Sequence, residues 1–298
     1  MTWRGRTSGG ARLLLPISYF LRAFGVRGTW LLSPPVAMIA VLCDDQARRA
    51  SLRYFRRLRP SIGEDERWGL AWRHLSSFGR VLADRMLVYS DPQHLRVDFA
   101  GHGGERLHAA ISSKNGCILL SAHLGNWELA GQLLSRIDAA PVHVVMIESE
   151  DPAVRALVRK HMGDRPPTII DPRDGVGASL AIQAALQRGE TVCMLGDRVV
   201  PGQAHVRVPF LGAPAAFPIG PFLAAAAAGC PVVPCFLLKR ARNRYAMVVE
   251  QPLYPTWPTV RSQRVAMMLP QVERWVTLLE RIVQRHPFQW HNFYNFWL

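Results

Sequence analysis

The chain has 298 residues, 49% hydrophobic and 19% charged, which excludes a disordered composition and supplies the core of one large α/β domain with extra elements, or at most two domains. A net charge of +14 and a pI near 10.5 favour anionic partners: nucleic acid, anionic lipid headgroups or an acidic protein. Five scattered cysteines without a CxxC pair exclude a zinc ribbon or redox motif and read as reduced core residues of a cytosol-facing protein.

In chain order, the first feature is the uncharged run "GTWLLSPPVAMIAVLC", residues 28–43. It falls short of the roughly 20 residues a spanning helix needs and is interrupted by Pro34 and Pro35. No small-residue cleavage site precedes Asp44–Asp45, so it is a poor signal peptide. It reads as an anchor lying in a membrane interface, with a short spanning helix as the alternative. Next comes "RRASLRYFRRLR", with Arg48, Arg49, Arg53, Arg56, Arg57 and Arg59. This is either a solvated helix face or a membrane-surface patch in which Leu52, Tyr54, Phe55 and Leu58 supply apolar area. Residues 1–62 are therefore set apart as a membrane-associating segment, and 63–298 as the main domain.

Residues 64–89 carry the clearest helical period of the first third: Trp68, Ala71, Trp72, Leu75, Phe78, Leu82 and Met86. From residue 95 strands and helices alternate. "LRVDF", "CILLSA", "PVHVVM", "TVCMLGD", "PVVPCFLL" and "RYAMVVE" read as strands. "ERLHAAISS", "NWELAGQLLS", "DPAVRALVRKHM", "GASLAIQAALQRG", the part of "FPIGPFLAAAAAG" beyond its prolines, and residues 264–285 read as helices. This alternation predicts a mixed, largely parallel sheet flanked by helices, with ligands at the carboxyl ends of its strands. The uncharged run from Val208 to Leu238 reads as core helix plus core strand, or as the lining of a groove for an apolar chain.

The stretch "SAHLGNWELAG" carries the chemistry. His123 follows a buried strand, Gly125 permits a tight turn, and Asn126 can cap the next helix. Glu128 falls in that helix's first turn, where the helix dipole favours a carboxylate. A glutamate accepting one ring N–H would leave the other ring nitrogen as a base for a hydroxyl. The same residues also fit an ordinary capped strand-to-helix junction. The spacing is not HExxH, and neither a GxSxG elbow nor a P-loop occurs.

"HLGNWE" resembles the HxxxxE signature of the late acyltransferases of bacterial lipid A biosynthesis, relatives of the glycerol-phosphate acyltransferases with HxxxxD. "MLGDRVVPGQAHVRVPFLGAPAAFPIG" is similar to the family's second block, "GCPVVPCFLLKR" to its later strand, and "HPFQWHNFYNFW" to its His-Pro-x-Gln-Trp close. The resemblance covers roughly residues 90–298. Asp197–Arg198 stands where the family commonly has Asp-Gln, and Leu211 where it has an aromatic residue. These departures look more like the branch associated with aryl-polyene or other glycolipid-type products, so the acceptor stays open.

The resemblance implies an O-acyltransferase at the cytoplasmic face of a bacterial inner membrane. His123 would be the general base and Glu128 would orient and charge it, with no acyl-enzyme, metal or cofactor. The donor would be an acyl carrier protein or acyl coenzyme A, the acceptor a lipid or glycolipid hydroxyl. Backbone N–H groups at the start of the Asn126 helix could stabilise the oxyanion. Asp197 and Arg198 would sit at the active edge, Arg198 for a phosphate or oxyanion, although the two could equally be a structural pair. An arginine between the blocks, Arg155, Arg159 or Arg165, would join them. The competing readings are an inactive membrane-surface scaffold and a basic nucleic-acid-binding protein; the chain lacks RRM, zinc-finger and helix-turn-helix signatures.

Overall fold

The computed structural model describes residues 44–90, 95–130, 141–147, 167–200, 202–258 and 260–297, with isolated positions at 28, 35, 38 and 134. Apart from those isolated positions, the apolar run of 28–43 lies outside them, as do the helix expected over 151–162 and Arg155, Arg159 and Arg165. Among the described residues no helix is long and apolar enough to cross a membrane.

Helix α1, Asp45–Leu58, opens at Asp44, whose Oδ1 accepts a hydrogen bond from the Ala47 N–H at 2.9 Å. Ala47, Ala50, Tyr54 and Phe55 share its buried face. Tyr54 and Phe55 are fully buried, so the expectation that they present apolar area to a membrane is corrected. Each contributes on the order of 2 kcal/mol by leaving water. The Tyr54 hydroxyl donates to the Pro287 carbonyl at 2.9 Å and so fastens α1 to the last part of the chain. Arg49, Arg53, Arg56, Arg57 and Arg59 remain on the exposed face.

Helix α2, Glu64–Ser90, runs where the periodicity predicts it, but its buried face is rotated from the expected stripe. Trp68 is 41% exposed under the Arg48 guanidinium, while His74 and Asp84 are buried. The rotation has a polar cause. His74 bonds Ser51 Oγ at 2.8 Å and the Trp290 carbonyl at 2.7 Å; Asp84 accepts from Tyr245 Oη and Lys239 Nζ. Buried polar groups with partners can take core positions that an apolar count assigns elsewhere.

The sheet comprises β1 (Arg96–Phe99), β2 (Cys117–Ser121), β3 (Val142–Val145), β4 (Thr168–Ile170), β5 (Thr191–Leu195), β8 (Val232–Ala241) and β9 (Arg244–Val249). The order across it is β1-β9-β8-β2-β5-β3-β4. Strands β8, β2, β5, β3 and β4 are mutually parallel; β9 runs antiparallel to β8 and pairs in parallel with β1. The predicted mixed, largely parallel sheet is therefore observed, with β4 as a short edge strand that the sequence reading had not marked. Helices α3 (Gly103–Ser112), α4 (Val176–Gln187), α5 (Gly220–Ala228) and α6 (Arg264–Arg285) flank it. Alternate strand residues feed two cores: Ile118, Leu120, Phe236 and Leu238 in one, Cys117, Leu119, Cys235 and Leu237 in the other.

Between β5 and α5 the chain forms a separate antiparallel hairpin, β6 (His205–Phe210) and β7 (Ala213–Pro218). Leu211 and Gly212 both have positive φ, 50° and 76°, as a two-residue turn of this hand requires. Glu280 Oε2 accepts the Leu211 N–H at 2.8 Å and holds the tip against α6. Val208, Phe210, Phe217, Phe222, Phe236 and Leu238 of the uncharged run are all buried in one core, which supports its core reading.

Candidate active site

Strands β2 and β5 are parallel neighbours in which Ser121 pairs with Leu195. The Gly196 N–H donates to the Ser121 carbonyl at 2.8 Å, so the register continues past the strand ends. Two residues further on it brings His123 opposite Asp197, just above the carboxyl edge of the sheet. Asp197 Oδ1 lies 2.9 Å from His123 Nδ1, and Oδ2 accepts the His123 backbone N–H at 2.9 Å. Oδ2 also accepts the Trp290 indole N–H at 3.0 Å.

Glu128 is not the partner of the imidazole. Among the described residues its carboxylate pairs with the Arg85 guanidinium of α2. The expected His123–Glu128 hydrogen bond is therefore replaced by His123–Asp197. The helix starting at residue 127 directs Glu128 toward α2, and the strand register has already placed another carboxylate on Nδ1. Asp197 and Arg198, expected on the active edge, are both there, but they are not a pair closed on themselves. Arg198 donates to the His291 carbonyl at 3.3 Å and lies 5.3 Å from the Tyr294 ring centre.

The turn around His123 is fixed by its backbone. Gly125 has φ +68°, and a Cβ there would stand 2.0 Å from the Leu237 carbonyl oxygen. The Gly125 N–H donates to the Gln289 carbonyl at 2.8 Å and the Asn126 N–H to the Leu237 carbonyl at 2.9 Å. Those two amides are thus occupied, which corrects the expectation for the first of the oxyanion donors. The first-turn amides of Trp127 and Glu128 remain without an intrahelical acceptor. The Asn126 side chain makes long contacts, 3.4 Å to the Val81 carbonyl and 3.5 Å to Tyr245 Oη, and ties the turn to α2 and β9.

The electrostatics separate the two members of the couple. Burial alone would raise the Asp197 carboxyl, but the His123 ring, the Arg198 charge and the hydrogen bonds outweigh it and hold it at about 2. Burial and then the Arg198 charge lower the His123 ring below its ordinary value, against the opposing pull of Asp197. The histidine is neutral at pH 7 and the aspartate is charged. A charged acceptor on Nδ1 fixes the ring proton there, so Nε2 carries the lone pair. The His123 side chain keeps 19% of its surface exposed, and Nε2 has no hydrogen bond among the described residues. Trp127 meets the ring edge-on at 5.8 Å. No group of three or more His, Cys, Asp or Glu among the described residues is placed to hold a metal ion.

Trp290, Arg85, Asp84 and Tyr245 were not singled out from the sequence. Trp290 sits in the "HPFQW" segment already noted, which is the signal that could have found it. A histidine lone pair oriented by a buried carboxylate at the carboxyl edge of a parallel sheet defines a protein that can deprotonate a hydroxyl or water without a nucleophilic side chain.

The chain belongs to the bacterial lipid A biosynthesis acyltransferase family, whose model matches residues 11–298. Phosphatidylinositol mannoside acyltransferase of Mycobacterium tuberculosis, in strains ATCC 25618 / H37Rv and CDC 1551 / Oshkosh, is 22% identical over 207 residues. That match covers 66% of this chain, and the chain spans only 59% of the relative's length. Among solved structures, the 1-acyl-sn-glycerophosphate acyltransferase PlsC from Thermotoga maritima has 14% identity and a TM-score of 0.37, covering 90% of this chain and 95% of its own.

Proposed function

We propose that this protein moves a fatty acyl group from a thioester to a hydroxyl of a lipid or glycolipid, with His123 as general base and Asp197 as the group that orients it. The observation that carries the reading is the 2.9 Å contact between Asp197 Oδ1 and His123 Nδ1, which leaves Nε2 with the lone pair. Nε2 takes the proton of the acceptor hydroxyl as its oxygen attacks the thioester carbonyl. The tetrahedral oxyanion collapses, the C–S bond breaks, and the thiolate recovers the proton from His123. Base catalysis of this kind supplies about 10²–10⁴ in rate. Arg198 and the first-turn amides of Trp127 and Glu128 are the candidates for the oxyanion. The Glu128–Arg85 pair stands beside the base as a contact for the acceptor.

The donor in this reading is an acyl carrier protein, because an acidic carrier is steered by a surface with net charge +14. Arg207 and Arg240 are exposed and suited to that steering, whereas Lys239 is engaged by buried Asp84. The membrane contact is the arginine face of α1, at about 1 kcal/mol per residue toward anionic lipid, with residues 1–43 as anchor at the cytoplasmic face of the inner membrane. The test is acyl transfer by purified protein from carrier-protein and coenzyme A thioesters across an ionic-strength series. A transfer rate for His123→Ala equal to wild type would end the base assignment. Carrier-protein rates that ignore salt would end the donor assignment, and equal flotation of wild type and Arg53→Glu/Arg57→Glu with anionic vesicles would end the α1 contact.

A further inference from the structure

The segment Gln289–His291 runs antiparallel to the turn that carries His123. Its bridge pairs Leu124 with Trp290, and the hydrogen bonds bracket the histidine: Gly125 N–H to the Gln289 carbonyl at 2.8 Å, His291 N–H to the His123 carbonyl at 2.7 Å. Gln289 fixes the segment to the end of β8. Its Oε1 accepts the Lys239 N–H at 2.8 Å and its Nε2 donates to the Lys239 carbonyl at 2.9 Å. On the other side the Trp290 carbonyl accepts from His74 Nε2 at 2.7 Å. The strap is thus held by β8 and α2 at once.

Within this frame the Trp290 indole has no freedom of its own. It is fully buried, edge-on to Tyr54, Phe210, Phe296 and Trp297. Its N–H is aimed at Asp197 Oδ2, 3.0 Å away. Two donors on Oδ2, the indole and the His123 backbone N–H, set the plane of the carboxylate and leave Oδ1 directed at Nδ1. With the indole N–H removed, one backbone donor remains on Oδ2, and the carboxylate can turn about its Cβ–Cγ bond. A buried carboxylate with one donor fewer is also more basic, so it binds an imidazolium more strongly.

From this geometry we infer that Trp290 is a positioning residue: its indole N–H holds the Asp197 carboxylate in the plane that orients His123, beyond any contribution of its ring to packing. The inference rests on His123 acting as base.

The experiment separates the N–H from the ring. Replacing Trp290 by β-(benzothienyl)alanine keeps the bicyclic shape and puts sulfur where the N–H was. In the acyl-transfer assay kcat should fall about 10- to 100-fold, as for a small misalignment of a catalytic group, with KM for donor and acceptor within about twofold of wild type. The acid limb of the kcat/KM profile should move to higher pH. In an Asp197→Asn background the same replacement should change kcat by less than about twofold, because its target is already gone. Trp290→Phe, which also opens a cavity, should show the same non-additivity with a lower melting temperature. Unchanged kcat and pH profile in the isostere would overturn the inference, as would an equal loss in both backgrounds. A fully active His123→Ala protein would overturn it together with the base assignment.

Discussion

Asp197→Asn is the substitution that most sharply tests who orients the histidine. The wild-type carboxylate accepts three hydrogen bonds, from the His123 backbone, His123 Nδ1 and Trp290 Nε1. An asparagine amide has one oxygen and one NH₂ group. The oxygen satisfies the two donors on the Oδ2 side, which leaves the NH₂ facing Nδ1. The ring then accepts at Nδ1 and carries its proton on Nε2, where no lone pair remains to take the acceptor's proton. The same change of tautomer in serine proteases lowers kcat by about 10⁴, or about 5 kcal/mol in barrier. A loss on the order of 10³–10⁴ is expected here, with a melting temperature within a few degrees of wild type because the amide is isosteric. Glu128→Gln, assayed alongside, should lose far less and chiefly in the acceptor's KM. The assay is steady-state transfer from an acyl thioester at saturating acceptor. If Asp197→Asn keeps activity within tenfold of wild type, or Glu128→Gln loses more than it does, Asp197 is not the orienting carboxylate and the reasoning fails.

The kcat/KM profile should rise with pH along a limb below 6.5, since burial and Arg198 lower the His123 ring. Arg198→Gln removes one lowering cause and should move the limb upward; a limb at or above 6.5 in wild type would contradict the burial of the couple. Stability should fall as pH drops from 6.5 toward 4, because buried His74 is lowered to about 4 and the unfolded chain takes up that proton first. The loss is about 3 kcal/mol at the lower end of that window, read from urea midpoints at the two pH values, and flat midpoints would refute it. Gly125→Ala should abolish folding or lower the melting temperature far more than Gly202→Ala, since both have positive φ but a Cβ clashes with Leu237 at one and meets nothing within 4 Å at the other. Equal shifts in the two variants would show that the turn can relax.

Much of the fold was legible because its strands are continuous apolar runs bounded by Gly, Pro and Asp. "CILLS" and "TVCML" are such runs, and both are central strands. The helix over 64–89 was legible as a helix but not in its facing. Its buried side contains His74 and Asp84, whose partners Ser51, Trp290, Tyr245 and Lys239 come from distant parts of the chain. The facing of Tyr54 and Phe55 on the arginine-rich helix was hidden for a related reason. Tyr54 and Phe55 carry no mark in the sequence that tells a membrane face from a core face, and the core claims them through Pro287, Phe288 and Trp290.

The pairing of His123 follows the same logic. Sequence spacing favours Glu128, five positions away and in the first turn of a helix. Strand register favours Asp197, which lies 74 positions away but across from His123, two residues past the end of the adjacent parallel strand. Register decides the pairing because it fixes the backbone positions of both residues: the Ser121–Leu195 pair and the Gly196 N–H bond to Ser121 bring the histidine and the aspartate together at the strand ends. The two carboxylates then divide by environment. Asp197 is 1% exposed with three donors, and the neighbouring ring, the Arg198 charge and those bonds hold its carboxyl at about 2. Glu128 keeps 23% of its side chain exposed beside Arg85. A group that must orient a base benefits from the first environment, and a group that must meet an incoming hydroxyl needs the second. On the proposed mechanism the HxxxxE spacing therefore places an acceptor contact beside the base, while the base takes its direction from the second block.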